Sequence, residues 1–219
     1  MTHALKNRML NFCLGTFPAG IVFSLLLLFP LAAFSQTPNF SAHSFTSAAG
    51  NIVELHGDLN NDGYEDLIIG TRVYLSKGNG SYGAPLTYTL PKGSTYYSAL
   101  VGDFNGDGKL DLVVETNSGY GDFGISTYLG NGDGTFRAPI NSTVQYLYPA
   151  MAAADVNHDG KLDLLVITAH SAASLQVLFG NGDGSFTPGP IYGGDLMYEV
   201  DTILTGDFDG DGNVDAAVV

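Results

Sequence analysis

Oxygen-bearing side chains recur at one fixed spacing four times in this chain, in the nine-residue pattern D-x-[ND]-x-D-G-x-x-D. The copies run Asp58–Asp66, Asp103–Asp111, Asp155–Asp163 and Asp207–Asp215. Positions 1, 3, 5 and 9 are Asp58, Asn60, Asp62 and Asp66; Asp103, Asn105, Asp107 and Asp111; Asp155, Asn157, Asp159 and Asp163; Asp207, Asp209, Asp211 and Asp215. Position 6 is always glycine, which permits a sharp turn. Position 7 varies freely (Tyr64, Lys109, Lys161, Asn213), as expected where only its backbone carbonyl coordinates. An all-oxygen donor set suits a hard cation that takes about six to eight oxygens. It predicts calcium, up to four ions, one per loop. Position 2 is always apolar (Leu59, Phe104, Val156, Phe208), so that side chain is expected to anchor the loop in a core.

The loops are not EF-hands. An EF-hand needs a bidentate Glu at position 12 and a departing helix, and position 12 here is Ile69, Val114, Val166 and Val218. The chain leaves each loop through a short aliphatic run (Leu67–Ile69, Leu112–Val114, Leu164–Ile167, Ala216–Val219) whose composition and length predict a strand. The closing carboxylate therefore stands at position 9, where that strand begins.

The elements that must hold these loops repeat with them. Loop starts at 58, 103, 155 and 207 are separated by 45, 52 and 52 residues, the period of an array or a propeller. A second motif follows in phase: Tyr74–Tyr82, Tyr128–Phe136 and Leu178–Phe186, each with Asn-Gly or Asp-Gly between apolar residues, the signature of a tight hairpin. Asp133 and Asp183 fall in these turns, where they read as turn residues rather than cation ligands; the first copy lacks the acid. In the second repeat the strands are expected at about 97–101, 112–116, 125–129 and 135–140, with 117–124 a loop between strands two and three. Four antiparallel strands in about 50 residues make a propeller blade. The predicted fold is all-β: an incomplete β-propeller of about 3.5 four-stranded blades.

The combination G-D-x-N-x-D-G-x-x-D-L with L-G-N-G-D-G-[TS]-F resembles the FG-GAP / VCBS repeat family, which forms the calcium-binding propeller also found at the head of integrin α chains. The resemblance covers residues 50–219, divided at about 50–92, 93–143, 144–194 and 195–219. It implies calcium at the nine-residue loops and a secreted or cell-surface protein that binds an extracellular protein or glycan without catalysis. Two departures stand out: the hairpin of the first copy is degenerate, and the fourth copy breaks off within its second strand. The segment 36–49 is available as a closing strand, and an unpaired blade edge invites self-association.

Residues 1–35 read as a signal peptide. Lys6 and Arg8 precede the apolar run 21–34, and Ala33 and Ser35 place small residues at −3 and −1 of a cleavage site before Gln36. The run is short for a membrane span and is broken by Pro30. Export, to the cell surface, the medium or a bacterial periplasm, is the expected localisation. Cys13, the single cysteine, would leave with the signal, so disulfides and thiolate chemistry are excluded. The formal charge is −14, with most acidic residues inside the loops, and no basic patch offers itself to nucleic acid.

Catalytic constellations are lacking. Gly78–Gly83 and Gly119–Gly124 both satisfy G-x-G-x-x-G, but neither leads from a strand into a helix. His43, His56, His158 and His170 are scattered. Some polysaccharide lyases resemble this family in carrying the same loops, so a fragment of such an enzyme is the alternative reading. The connectors between strand four of one blade and strand one of the next are rich in tyrosine: Tyr96, Tyr97, Tyr146, Tyr148, Tyr192 and Tyr198. Tyr96, Tyr97, Tyr148 and Tyr198 are candidates for a ligand-binding rim, or else for packing between blades.

Overall fold

The computed structural model describes residues 44–46, 53–117, 123–144, 147–169, 173–196, 200 and 202–219. Every regular element among them is a strand. The predicted signal peptide lies outside the described residues. No helix among the described residues is long and apolar enough to cross a membrane.

The strands form four antiparallel sheets in chain order. The first contains β1 (Ser44–Thr46), β2 (Val53–Gly57), β3 (Asp66–Ile69), β4 (Arg72–Tyr74) and β5 (Leu86–Thr87). The second contains β6 (Thr95–Gly102), β7 (Asp111–Asn117), β8 (Phe123–Tyr128) and β9 (Ile140–Thr143). The third contains β10 (Leu147–Ala154), β11 (Asp163–Ala169), β12 (Ala173–Gly180) and β13 (Phe186–Leu196), and the fourth pairs β14 (Ile203–Gly206) with β15 (Asp215–Val218). Each sheet is a meander in which every strand pairs with the next. The result is an incomplete, unclosed propeller of three blades and a two-stranded fourth unit.

Cores lie between blades. The first joins Leu55, Leu59, Ile68 and Val73 of the first blade to Ala99, Val101, Leu112, Val114 and Tyr128 of the second. The second and third cores repeat the arrangement, with Leu100, Phe104, Val113 and Ile125 meeting Leu164, Val166 and Leu178, and Val156, Leu165, Ile167 and Val177 meeting Ile203 and Val200. Because both faces of each inner strand are covered, β7 and β11 read as continuous aliphatic runs rather than alternating ones. Aliphatic side chains of this kind, fully buried, contribute about 1.5–3 kcal/mol each.

Three expectations need correction. The fourth strand of the second blade starts at Ile140 rather than 135. The hairpin extends through the Gly130–Phe136 bridge and the Arg137 N–H to Leu129 carbonyl bond, and Pro139 has no N–H to offer a ladder. Asn117, Phe123 and Gly124 belong to β7 and β8 rather than to a loop, because the two strands pair out to Asn117–Phe123. Ser44–Thr46 does form a strand, but it pairs with Val53–Leu55 and so adds a fifth strand to the first sheet, beside β2, rather than pairing with the fourth unit.

Candidate metal centre

Each nine-residue loop joins the first two strands of its unit: β2 to β3, β6 to β7, β10 to β11 and β14 to β15. Backbone amides fold around the position-1 carboxylate. In the second loop Asp103 Oδ1 accepts from the N–H groups of Gly106 (2.8 Å) and Asp107 (3.1 Å), and Oδ2 accepts from Gly108 (2.9 Å). Asp58, Asp155 and Asp207 receive the same bonds from positions 5 and 6. The side-chain oxygen at position 3 accepts from the position-5 amide, and position 5 accepts from position 7, as with Asn105 and Asp107. These contacts hold the acceptor oxygens of positions 1, 3 and 5 in one tight turn.

That turn uses two left-handed residues rather than one. Position 6 has φ of 87, 79, 84 and 84° in the four glycines, and position 4 is also positive: Asn61 57°, Gly106 72°, His158 59° and Gly210 79°. Position 4 escaped sequence analysis because its identity varies, although Asn, Gly and His all tolerate this region better than other residues do. His158 is thus a turn residue.

Position 9 ties the loop to the rest of its blade. Asp66, Asp111 and Asp163 are fully buried. One oxygen of each accepts from the position-2 amide (Leu59, Phe104, Val156), and the other accepts from the first hairpin residue (Ser76, Gly130, Gly180) at 2.8 Å. Burial raises the pKa of all three, with the backbone bonds opposing it and the other loop carboxylates adding repulsion; Asp111 reaches about 6. A positive charge beside these groups would reverse that penalty. The hairpin must come close to be caught in this way: a Cβ at Gly130 or Gly180 would lie 2.2 or 2.1 Å from the carbonyl oxygen of Leu110 or Leu162.

The hairpins are closed by their own side chains. Asp133 Oδ1 accepts from the Thr135 amide and hydroxyl, and Asp183 does the same for Ser185. Those bonds hold both carboxyls below the usual range. Asn79 does this work in the first blade, bonding the amide and hydroxyl of Ser81. That copy is therefore divergent in sequence and intact in structure.

The donor set fits a hard cation. Every side-chain donor at positions 1, 3, 5 and 9 is an oxygen, and in the fourth loop carboxylate oxygens of Asp207, Asp209 and Asp215 lie within 4.8 Å of one another. In the first three loops the position-7 side chain lies over the hairpin, whereas Asn213 turns into its own loop and donates from Nδ2 to Asp211 Oδ1 at 2.8 Å. Tyr64 covers Gly78, while Lys109 and Lys161 cover Gly132 and Gly182 and reach Asp107 and Asp159 at 3.8 Å. Position 2 anchors three loops (Leu59, Phe104 and Val156 are buried), whereas Phe208 is exposed.

Of the four rim candidates, Tyr96 alone needs correction. Tyr96 is buried in the first core, on the opposite side of its strand from Tyr97, which is exposed beside a register shift. Tyr192 packs against the third core. The side chains of Tyr146, Tyr148 and Tyr198 lie outside the described residues.

A family model described as an FG-GAP-like repeat matches residues 58–114, 116–166 and 155–218, well over half of the chain. No curated protein matches it.

Proposed function

Since the chain belongs to the FG-GAP-like repeat family, whose repeats build propeller-type domains, we propose that it is a calcium-stabilised propeller that binds a protein or glycan outside the cell and performs no catalysis. The observation that carries this reading is the position-9 carboxylate. Asp66, Asp111 and Asp163 are buried at the start of an inner strand, beside a turn that crowds further acceptor oxygens with few cations. Such a cluster repels itself unless a cation joins it. Calcium bound by positions 1, 3, 5 and 9 and the position-7 carbonyl would supply that charge and fasten three segments of each blade together.

Extracellular calcium modules have dissociation constants of about 0.1–1 mM. At ~1 mM calcium and a constant of ~0.1 mM each site contributes about 1.4 kcal/mol, so four contribute roughly 5–6 kcal/mol. That is comparable with the whole stability of an ordinary domain. Export rests on the amino-terminal apolar run, and a non-catalytic role on the scatter of the histidines and the engagement of Lys109 and Lys161 by their own loops. Melting the protein with calcium, with chelator and with magnesium tests the first part. A clear rise with calcium, little with magnesium, is expected, and identical curves would contradict it. Incubation with acidic polysaccharides should yield no unsaturated products; their appearance would favour a lyase.

A further inference from the structure

The second and third loops are each supported from two sides, and one of those sides belongs to the preceding blade. On the near side stands the loop's own hairpin, which Asp111 or Asp163 holds through the amide of Gly130 or Gly180. On the far side stands the residue that leads into the preceding loop. Leu110, position 8 of the second loop, lies between the proposed ligands at Lys109 and Asp111, and a Cβ on Gly57 would come within 2.7 Å of its Cδ1. Gly57 directly precedes Asp58 of the first loop. Leu162, between Lys161 and Asp163, meets Gly102 in the same way: a Cβ there would lie 3.0 Å from Leu162 Cδ1, and Asp103 follows it.

The hairpins cross the same junctions. The Gly134 N–H donates to the carbonyl of Leu59, position 2 of the first loop, at 3.2 Å. The Leu59 amide donates in turn to Asp66, so a continuous route runs from Asp111 through the second hairpin to the closing carboxylate of the first loop. A Cβ on Gly134 would lie 2.6 Å from Leu75 Cδ2, and Leu75 precedes Ser76, whose amide Asp66 holds. At the next junction a Cβ on Gly184 would lie 2.8 Å from Leu129 Cδ2, beside Gly130. There Phe186 also meets Phe104, position 2 of the second loop, edge to face at 5.9 Å between ring centroids.

The second hairpin moves as one piece. The Gly130–Phe136 bridge and the Asn131 N–H to Thr135 carbonyl bond tie its two ends together. Whatever displaces Gly130 therefore displaces Gly134, and close-packed contacts of this kind separate rather than stretch.

We propose that the ion of a loop also latches its blade to the preceding one: calcium in the second loop governs opening of the junction between the first and second blades, and calcium in the third governs that between the second and third. The proposal rests on the assignment of the loops as calcium sites. Without the ion, repulsion among Asp103, Asp107 and Asp111 loosens the segment that carries Leu110 and holds the hairpin. Opening the junction removes the support of Gly57 from that segment, so ion binding and closure favour each other to an equal degree. At ~1 mM calcium and a constant of ~0.1 mM, an opening that releases the ion is suppressed about tenfold. The folded protein keeps its junctions closed almost all the time in either case. Loss of one ion thus changes how often its junction opens and leaves the affinity of the other loops as it was.

Amide hydrogen exchange of the intact protein, resolved by residue with NMR, tests the latch. Gly134 reports the first junction because its N–H is bonded across it, and the amides of β11, paired on both sides, report global unfolding. Calcium should slow exchange at Gly134 by about tenfold beyond any change in β11. In calcium, Asp107→Ala should exchange at Gly134 as fast as metal-stripped wild type, while Asp159→Ala, aimed at the third loop, should leave Gly134 slow. Leu110→Ala keeps every proposed ligand; it should still take up calcium, but its Gly134 should lose most of the response to the metal. A calcium titration of the same samples separates the two ways of failing. Uptake of calcium with no change at Gly134, or a Gly134 that responds as strongly to Asp159→Ala as to Asp107→Ala, overturns the latch and leaves the calcium sites standing. No uptake overturns both.

Discussion

Replacing Glu115 by glutamine should abolish much of the loss of stability that the protein suffers as pH rises. Glu115 is fully buried on the face that the second blade turns to the third, opposite Ser98 on β6 and Ile125 on β8. The Ser98 hydroxyl donates to Oε2 at 2.8 Å, and Oε1 has no partner among the described residues. The third blade has Ala150 and Ile167 at the equivalent positions, both buried, so a carboxyl stands where its neighbour has hydrocarbon. Burial pushes the carboxyl from 4.5 up to about 8, only partly offset by the serine. The folded value lies above the unfolded one, so the protonated fold is favoured. That advantage is complete below about pH 4.5 and is lost progressively as pH rises to about 8. At about 1.4 kcal/mol per pH unit, the full span is on the order of 4–5 kcal/mol. Urea unfolding of both proteins from acid to mildly alkaline pH, at fixed metal concentration, measures it. Subtracting the two curves cancels the contribution of other carboxylates such as Asp111. The difference should move by roughly 4 kcal/mol in favour of glutamine over that range, on a constant offset of about 1–2 kcal/mol against it from the unpaired amide. A difference that is flat with pH would refute a buried, protonated Glu115.

Other consequences are more local. In the second loop, Asp107→Ala should weaken calcium affinity at that site and Lys109→Ala should not, because the lysine lies over Gly132 and contributes only its backbone; equal affinities would undo the assignment of positions. Gly180→Ala should cost more than about 3 kcal/mol in urea unfolding, since its Cβ meets the backbone carbonyl of Leu162 at 2.1 Å. Gly106→Ala, with a positive φ and open space, should cost only about 1–2 kcal/mol. Tyr96→Ala should cost about 3–5 kcal/mol as a core truncation, against about 1 or less for the exposed Tyr97→Ala; comparable losses would mean that the two side chains are not divided between core and surface.

Much of this architecture was legible in the residues. The repeat period, the aliphatic runs after each loop and the Gly-rich turns together specify four-stranded units, because each signal is local and recurs in phase. The fourth strands were less legible: the prolines of the second and third hairpins interrupt the ladder at different points, so β9 starts late while β13 runs from Phe186 through a register shift. The loops showed their acceptor oxygens in sequence but not the work of Asp66, Asp111 and Asp163 on two backbone amides each, which depends on a hairpin 10, 19 or 17 residues away. Gly57 and Gly102, just before the first two loops, make room for the following blade's Leu110 and Leu162, a role that no local signal in the sequence announces. Tyr96 looked like Tyr97; the direction of alternation in a strand separates them, and that is set by the neighbouring blade. Asn79 concealed an intact hairpin because an amide oxygen can do there what a carboxylate does in the other two.

The most direct measurement is a calcium titration of metal-stripped protein by isothermal calorimetry, with Asp107→Ala alongside. Four ions per chain are expected, falling to three in the variant while the remaining sites keep their affinity. A protein that takes up no calcium at millimolar concentration, or a variant that still binds as many ions as the wild type, would contradict the assignment of the four loops.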